Sequence, residues 1–280
     1  MTIISDTVAV PFRPRFQIRT WALYAYATLF FGFLYVPILV LFVLSFNDSQ
    51  TMGFPIRGFT GRWYAEVFAR GEFVRSIVNS FMIGIASASI ATALALLVSL
   101  GLRREFPFRG AVVPLMLLPI IMPGIVSGVV MLVFFGFAEV PNGLWTGVLA
   151  AHITWVMPFS FLTLYPRLHR FDHSIEEAAM DLGATPIIVF RRILWPLIWP
   201  AIIATVLFSF TLSFDEFIRT LFVIGSDRTT PVYLWLLVVE RMAPFLPAVG
   251  VVIVVISTSV AVAGFVLSNR ASALARRVER

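Results

Sequence analysis

Long apolar runs alternate with short charged segments along the whole chain. Six of these runs contain no Asp, Glu, Lys or Arg, and each exceeds the roughly 20 residues that a helix needs to cross the hydrocarbon of a bilayer. The pattern therefore predicts six transmembrane helices, at residues 21–46, 76–102, 110–138, 141–166, 193–214 and 242–269. A further apolar run, 232–239, is too short to span and is typical of an interfacial or re-entrant segment.

The distribution of arginine predicts how these helices are oriented. All 21 basic residues are arginines. If the N-terminus is inside, fourteen of them lie in cytoplasmic segments and seven in the loops on the other side, so the positive-inside rule places both termini in the cytoplasm. The chain then divides into a cytoplasmic segment 1–20, a first transmembrane helix 21–46, a periplasmic loop 47–75, a five-helix core 76–269 and a cytoplasmic tail 270–280.

The composition agrees with a membrane protein and narrows its chemistry. Hydrophobic residues make up 59% of the chain, more than the roughly half that is usual in soluble domains. The net charge of +6 is mostly a topology signal, because the arginines are divided among short segments and form no basic patch for nucleic acid. The chain has no cysteine and no lysine. Without lysine it cannot contain a Gly-x-x-x-x-Gly-Lys phosphate loop, so any ATP that drives it must be hydrolysed by another polypeptide.

No catalytic residue, metal site or bound cofactor is expected in this chain. His169 and His173 are four residues apart, a spacing that can bind metal on a helix. They precede a predicted helix start at Ser174, however, and are expected in a turn. The chain is therefore predicted not to be an enzyme.

The polar segment 166–196 lies between two apolar runs and predicts a helix, a tight turn and a second helix. Ser174 and Glu177 have the spacing of a capping box, and Gly183 suits the left-handed residue that ends a helix. Thr185 can cap a second helix whose first residue is Pro186, and that helix is expected to end at Trp195-Pro196.

The segment contains Glu177-Ala178-Ala179, followed by Gly183, Phe190, Ile193 and Pro196. In this spaced set it resembles the EAA loop of ABC importer permeases. Residue 195 departs from the pattern, with Trp where the family usually has Leu. In that family the loop is cytoplasmic and docks into a groove on the ATP-hydrolysing subunit. The ATPase-coupling residues that the resemblance implies are Glu177, Ala178, Ala179, Asp181, Gly183, Phe190, Ile193 and Pro196. The implied fold is all-α: the MetI-like bundle of type I importers, in the bacterial inner membrane.

A wider set of motifs is similar to the spermidine/putrescine-type branch of these importers, and most of all to its C-type permease. The motifs are Tyr35-Val36-Pro37, Ser45-Phe46-Asn47, Gly58-Phe59-Thr60, Trp63-Tyr64, Asn79-Ser80, Ala151-His152-Ile153-Thr154, Arg167-Leu168, the run 210–217 and Thr230-Pro231-Val232. The resemblance implies a heterodimer with a sister permease, two copies of a cytoplasmic ATPase that bind ATP and Mg, and a periplasmic substrate-binding protein.

The same resemblance implies a polyamine or a related small amine or amino-acid derivative as substrate. Polyamine members often have an acid after the proline of the third span, where this chain has Gly124. Similar branch relatives handle amino-acid derivatives, opines, quaternary amines or iron.

Two regions are candidates for the substrate pathway. The third span contains Pro114, Pro119 and Pro123 followed by Gly124, and such breaks are tolerated where protein or a wet cavity satisfies the freed backbone groups. The third span therefore has two interpretations: either it lines the substrate pathway, or its kinks serve only the packing of helices. The second region is the end of the fifth span, where Ser213 lies next to the last residue and Asp215 and Glu216 follow directly. The two carboxylates could attract a cationic ligand or pair with Arg219 on a helix surface.

Two smaller sets of residues have either a functional or a purely structural interpretation. His152 is an ionisable residue within a span, which can mark a functional site, but a hydrogen-bonded structural histidine is the expectation. Trp63 and Tyr64 are expected in the aromatic belt at the outer interface, with contact to an external partner as the alternative.

The competing class of function is an ATP-independent secondary transporter or channel. Such a carrier should have ionisable residues within its spans or inverted repeats, and apart from His152 the sequence has neither. The expected mechanism is alternating access, in which closure of the ATPases moves the docked loop and a hinge at Gly183 and the proline-broken helices open the pathway.

Overall fold

A computed structural model describes residues 20–240 and 243–278, and within these ranges every regular segment is helical apart from one isolated bridge between Asn47 and Phe59. The helices are α1 Thr20–Leu44, α2 Arg62–Ala69, α3 Gly71–Gly101, α4 Arg109–Ile121, α5 Gly124–Phe137, α6 Leu149–His169, α7 His173–Asp181, α8 Pro186–Val189, α9 Trp195–Phe214, α10 Ile218–Val223, α11 Thr230–Glu240 and α12 Leu246–Val278. Single π-helical turns, Leu144–Val148 and Phe190–Leu194, lead into α6 and α9.

Among the residues that the structure describes, five single helices are long and apolar enough to cross a membrane, and the pair α4–α5 makes up to six if it counts as one span. The all-α prediction is confirmed, and five of the six predicted runs coincide with long helices. The short run 232–239 lies within the 11-residue helix α11. Arg13, Arg15, Arg19, Arg241 and Arg280 lie outside the described residues, and the orientation that the arginines indicate stays a prediction.

Helix α3 occupies the centre of the bundle, where it packs most extensively against α6 and α9. Its small residues make this possible, because side chains such as Ala88, Ala91 and Ala95 are fully buried and let neighbouring backbones approach. At Gly84 a Cβ atom would lie 2.7 Å from the ring of Phe210, so any larger residue would displace that ring. The second predicted span therefore lies in the bundle interior.

The third predicted span is two helices that meet at an angle of 102°. The break falls at Met122-Pro123, where both residues have extended backbone. A proline disfavours helical geometry in the residue before it, and Pro123 supplies no amide hydrogen to continue the ladder. The break predicted in the third span is therefore confirmed at Pro123, and the region 110–138 is one span only if this bent pair counts as one. Helix α5 instead packs on α10, and a Cβ at Gly128 would lie 2.4 Å from the ring of Phe222.

The loop after α1 folds against one end of the bundle. Trp63 is buried and its Nε1 donates a hydrogen bond of 2.9 Å to the carbonyl of Asn47, while the hydroxyl of Tyr64 lies 2.6 Å from Ser45 Oγ. Trp63 also packs with Phe73 and Tyr233 in a buried apolar cluster. The expectation of an interfacial belt position was wrong for Trp63, because its indole is enclosed by this loop and by α3, α11 and α12.

Candidate coupling loop and substrate pathway

The polar segment between α6 and α9 begins with helix α7, and its N-cap is Asp172. Asp172 Oδ1 accepts a hydrogen bond of 2.9 Å from the backbone N–H of Ser174, and that bond lowers the pKa of the Asp172 carboxyl. The predicted capping box of Ser174 and Glu177 was wrong, because the N-cap is Asp172 and α7 starts at His173, two residues earlier than that box requires. An aspartate is as good an N-cap as serine, so sequence alone left two possible starts, two residues apart.

The end of α7 has the hydrogen bonds of a Schellman motif, which confirms the role predicted for Gly183. The N–H of Gly183 donates to the carbonyl of Met180 at 2.8 Å, and the N–H of Ala184 donates to that of Ala179 at 3.0 Å. Gly183 has a φ of +88°, where side chains are strained, and no neighbouring atom fills the space beside its Cα. The turn is therefore set by backbone geometry rather than by packing.

The second helix of the segment begins where it was predicted, with Pro186 at the first helical position and Thr185 at the N-cap position, although the Thr185 side chain makes no capping hydrogen bond. Its predicted end at Trp195-Pro196 was wrong. The chain continues through the π-helical turn Phe190–Leu194 directly into α9, giving one helical stretch from Pro186 to Phe214. Proline has no backbone N–H to donate to the carbonyl four residues earlier. A π-helical turn replaces that bonding pattern with bonds to the fifth residue, so Pro196 is accommodated without ending the helix. Trp195 contacts the rings of Phe190 and Trp199.

The implied coupling residues divide into two groups by exposure. Glu177, Ala178, Asp181, Gly183 and Pro196 are exposed, whereas Ala179, Phe190 and Ile193 are partly buried. Phe190 packs against the apolar cluster that joins α3, α6 and α9. The exposed surface also includes large apolar side chains, among them Leu182, which is 90% exposed, together with Ile175, Met180, Ile187 and Ile188.

An ion pair attaches α7 to the end of α3. Arg103 Nη2 lies 2.6 Å from Glu176 Oε1, and the two side chains are only 11% and 17% exposed. The same nitrogen lies 3.2 Å from Nδ1 of His173, and the guanidinium sits 5.6 Å from the ring centre of Phe171. His169 ends α6 while His173 begins α7, so the two histidines do not share a helix. In the part of the chain that the structure describes, no group of three or more His, Asp or Glu residues could hold a metal ion.

Glu216 and Arg219 form a buried ion pair near the junction of α9 and α10. Arg219 Nη1 lies 3.0 Å from Glu216 Oε2, and the two side chains are 5% and 8% exposed. Arg219 Nε donates to Ser127 Oγ of α5 at 3.2 Å, and its guanidinium lies 3.8 Å from the ring centre of Trp155 of α6. The ion-pair alternative is confirmed for Glu216, although the pair lies in the interior and not on a helix surface.

His152 has the hydrogen-bonded structural position that was expected. It is 1% exposed; its Nδ1 lies 2.6 Å from Ser213 Oγ and its Nε2 lies 2.7 Å from Thr220 Oγ1. Ser213 also accepts a hydrogen bond of 2.8 Å from Ser87 Oγ. Side chains from α3, α6, α9 and α10 thus meet in one polar network, which sequence spacing could not show because its members are up to 133 positions apart.

The candidate pathway residues occupy three different environments. Ser213 is buried in the His152 network, whereas Asp215 is exposed and its Oδ1 accepts a hydrogen bond of 3.2 Å from Ser257 of α12. Pro123 and Gly124 lie at the break before α5, and a Cβ at Gly124 would come within 3.6 Å of Arg219 Nη1. The structure therefore brings Gly124 beside the Glu216–Arg219 pair and separates Asp215 from it.

A bundle of apolar spans with a capped helical hairpin exposed between two of them defines an integral membrane transport component. Residues 91–278 match the family described as binding-protein-dependent transport system inner membrane component. The chain belongs to this family, and its place is the inner membrane. A permease of this family is not itself catalytic, because the ATPase of such an importer is a separate subunit.

Several curated relatives resemble the chain over most of its length. It is 31% identical over 249 residues to the spermidine/putrescine transport system permease protein PotC of Haemophilus influenzae, covering 88% of this chain and 96% of that protein. It is 32% identical over 247 residues to PotC of Escherichia coli, covering 87% and 92%. It is 36% identical over 208 residues to the putrescine transport system permease protein PotI of Escherichia coli, covering 71% and 73%.

Solved structures share the fold at low sequence identity. A chain of a bacterial ABC transporter involved in the import of the acidic polysaccharide alginate matches with a TM-score of 0.67 and 17% identity, over 94% of this chain and 97% of that chain. A chain of the inward-facing MetNI methionine ABC transporter matches with a TM-score of 0.58 and 16% identity, over 71% and 96%. The predicted MetI-like permease fold is confirmed.

Proposed function

We propose that this permease forms half of the translocation pathway of an importer for polyamines or related small amines or amino-acid derivatives. The relatives named for spermidine and putrescine support this substrate class. The proposed assembly contains a sister permease, two cytoplasmic ATPase subunits that bind ATP and Mg, and a periplasmic substrate-binding protein.

The observation that carries the coupling proposal is the exposed apolar surface of an otherwise polar loop. Leu182 and Ile187 flank the Gly183 turn, and both project from a segment that the arginine pattern assigns to the cytoplasm. Exposed apolar patches rimmed by polar residues are typical of protein interaction sites. In the proposed complex this surface docks on the ATPase, with Glu177 as a polar contact to it.

For the substrate, Asp215 is the carboxylate that best suits an amine. It is exposed at the end of α9, whereas the charge of Glu216 is already neutralised by Arg219. Ser213, Pro123 and Gly124 stay in the proposed pathway, although they lie in environments different from that of Asp215. Because Ser213 is buried in this conformation, its contact with solute requires α9 and α10 to separate from α6.

The coupling proposal is tested by copurification of the tagged permease with its ATPase from mild detergent. Leu182→Ser, Glu177→Ala and Gly183→Ala should each reduce the ATPase recovered and the substrate-stimulated hydrolysis. Phe137→Ser is the matched control, because Phe137 is 87% exposed but lies at the end of α5, away from the loop. Full recovery and full stimulation with all three loop variants would refute the docking surface.

The substrate proposal is tested by uptake into proteoliposomes that contain the assembled complex and its loaded binding protein. Labelled spermidine, putrescine and amino-acid derivatives are compared, and Asp215→Asn should slow uptake of the amine selectively. Unchanged uptake of every candidate would remove Asp215 from the pathway. Transport by the permease alone, without ATP, would instead support the ATP-independent class.

A further inference from the structure

The coupling loop is joined to the bundle by its own chain, by the apolar packing of Phe190, and laterally by the Arg103–Glu176 ion pair. Along the chain it continues into α6 and α9, and both of these connections contain features at which a helix can bend. Helix α6 contains Pro158 and Pro166, and α9 follows a π-helical turn and contains Pro200. Prolines and π-helical turns are the places where helices bend, so these two connections can absorb a displacement of the loop.

The lateral contact leads to a helix with no such interruption. Helix α3 runs for 31 residues without proline, and Arg103 follows it by two residues. Arg103 binds Glu176 in the first turn of α7 at 2.6 Å, in a partly enclosed position where the pair is screened less than on an open surface. An α-helix rises 1.5 Å per residue and moves as a rod when its hydrogen bonds are continuous.

The other end of α3 holds the segment that precedes α11. Asn79 Nδ2 donates to the carbonyl of Arg228 at 2.8 Å, and Ser80 Oγ accepts from the N–H of Thr230 at 2.8 Å. Between Ser80 and its end at Gly101 the helix spans about 32 Å, roughly the thickness of the hydrocarbon of a membrane. One continuous helix thus contacts the coupling loop at one end and the opposite loop at the other.

We propose that the Arg103–Glu176 ion pair is the positioning contact that transmits movement of α7 through α3 to residues 228–230. This inference rests on the proposed docking of α7 to the ATPase. It replaces the hinge at Gly183 and the proline-broken helices as the main route of transmission. Arg103 and Glu176 act through α3 and do not touch solute.

The test uses the whole importer in proteoliposomes, with basal hydrolysis, stimulation by the loaded binding protein and the ratio of solute imported to ATP hydrolysed as readouts. Arg103→Gln and Glu176→Gln should each leave the ATPase bound and basal hydrolysis present. Stimulation and the import ratio should fall about fivefold or more, the lower range of allosteric coupling. The exchanged pair Arg103→Glu with Glu176→Arg should recover most of both.

Glu66→Gln is the matched control, because it removes a similar ion pair, to Arg70, at the opposite end of the bundle, where both partners are more exposed at 41% and 38%. A variant that only weakened folding would lower the amount of complex without changing the import ratio. Normal stimulation in both single variants would overturn the proposal, as would single-variant loss without recovery in the exchanged pair, or loss of ATPase binding in either single variant. If the wild-type chain bound no ATPase at all, the docking proposal itself would fail, which is a separate result.

Discussion

The buried pair of Glu216 and Arg219 permits a quantitative prediction that also separates a structural from a substrate role. Glu216→Gln removes the compensating negative charge and leaves the Arg219 guanidinium buried among neutral groups, including the Ser127 hydroxyl and the Trp155 ring. Breaking a buried ion pair by removing one partner costs about 3–5 kcal/mol, because the remaining charge is desolvated without compensation. With about 2–4 °C of melting temperature per kcal/mol, the apparent Tm should fall by roughly 6–20 °C.

The assay is thermal unfolding of the purified complex in detergent, followed by uptake in proteoliposomes. Glu66→Gln serves again as the control, because an exposed pair contributes only about 0.2–1 kcal/mol. The double variant Glu216→Leu with Arg219→Met should regain most of the lost stability, since replacing both charges with apolar groups is often neutral. If the pair is structural, uptake should recover as well.

Two results would refute this reasoning. A Tm for Glu216→Gln within the range of the Glu66→Gln control would show that the pair is not effectively buried in the assembled importer. Recovery of stability without recovery of amine uptake in the double variant would assign Glu216 to the solute and not to Arg219.

The remaining predictions concern the His152 hydrogen-bond network and the Asp172 N-cap of α7. His152→Leu removes the hydrogen bonds to Ser213 and Thr220, and thermal unfolding should show a loss of about 1–3 kcal/mol. His152→Gln keeps a donor and an acceptor and should lose less stability. Equal losses in the two variants would contradict the network. Asp172→Ala should weaken the α7 N-cap and reduce ATPase recovery slightly, whereas Asp172→Asn should retain the cap and normal recovery. Because the pKa of Asp172 is lowered in the folded chain, its cap is complete above the ordinary carboxyl pKa and is lost as the pH falls through the lowered value, so ATPase binding that weakened only at alkaline pH would contradict its role.

Local rules determined most of the coupling loop from sequence. Gly183 and Pro186 have backbone preferences that few other residues share, so the Schellman turn and the start of α8 could be predicted from a few neighbouring positions. The choice between Asp172 and Ser174 as N-cap was not determined in this way, since both side chains can accept the same kind of hydrogen bond. The effect of Pro196 was also open, because a π-helical turn lets a helix continue through a proline.

Hydrophobic run length likewise determined the class of protein. Apolar stretches of this length favour a bilayer over water. In a bilayer they form helices, because the hydrocarbon offers the backbone N–H and C=O groups no other hydrogen-bond partners. Run length could not show that the third stretch bends by 102°, since its prolines are compatible with a kinked span or with two helices. The packing of α5 against α10, with Gly128 at the ring of Phe222, decides between them.

Only the tertiary structure decided which polar residues meet inside the bundle. Asp215 and Glu216 are adjacent in sequence, yet one faces Ser257 and the other is enclosed with Arg219, because consecutive residues at a helix end point in different directions. Likewise, Arg103 and Glu176 are 73 positions apart. They come together only because the end of α3 lies beside the first turn of α7. Sequence shows local conformation and hydrophobicity directly, whereas partners for buried charge depend on how distant helices pack.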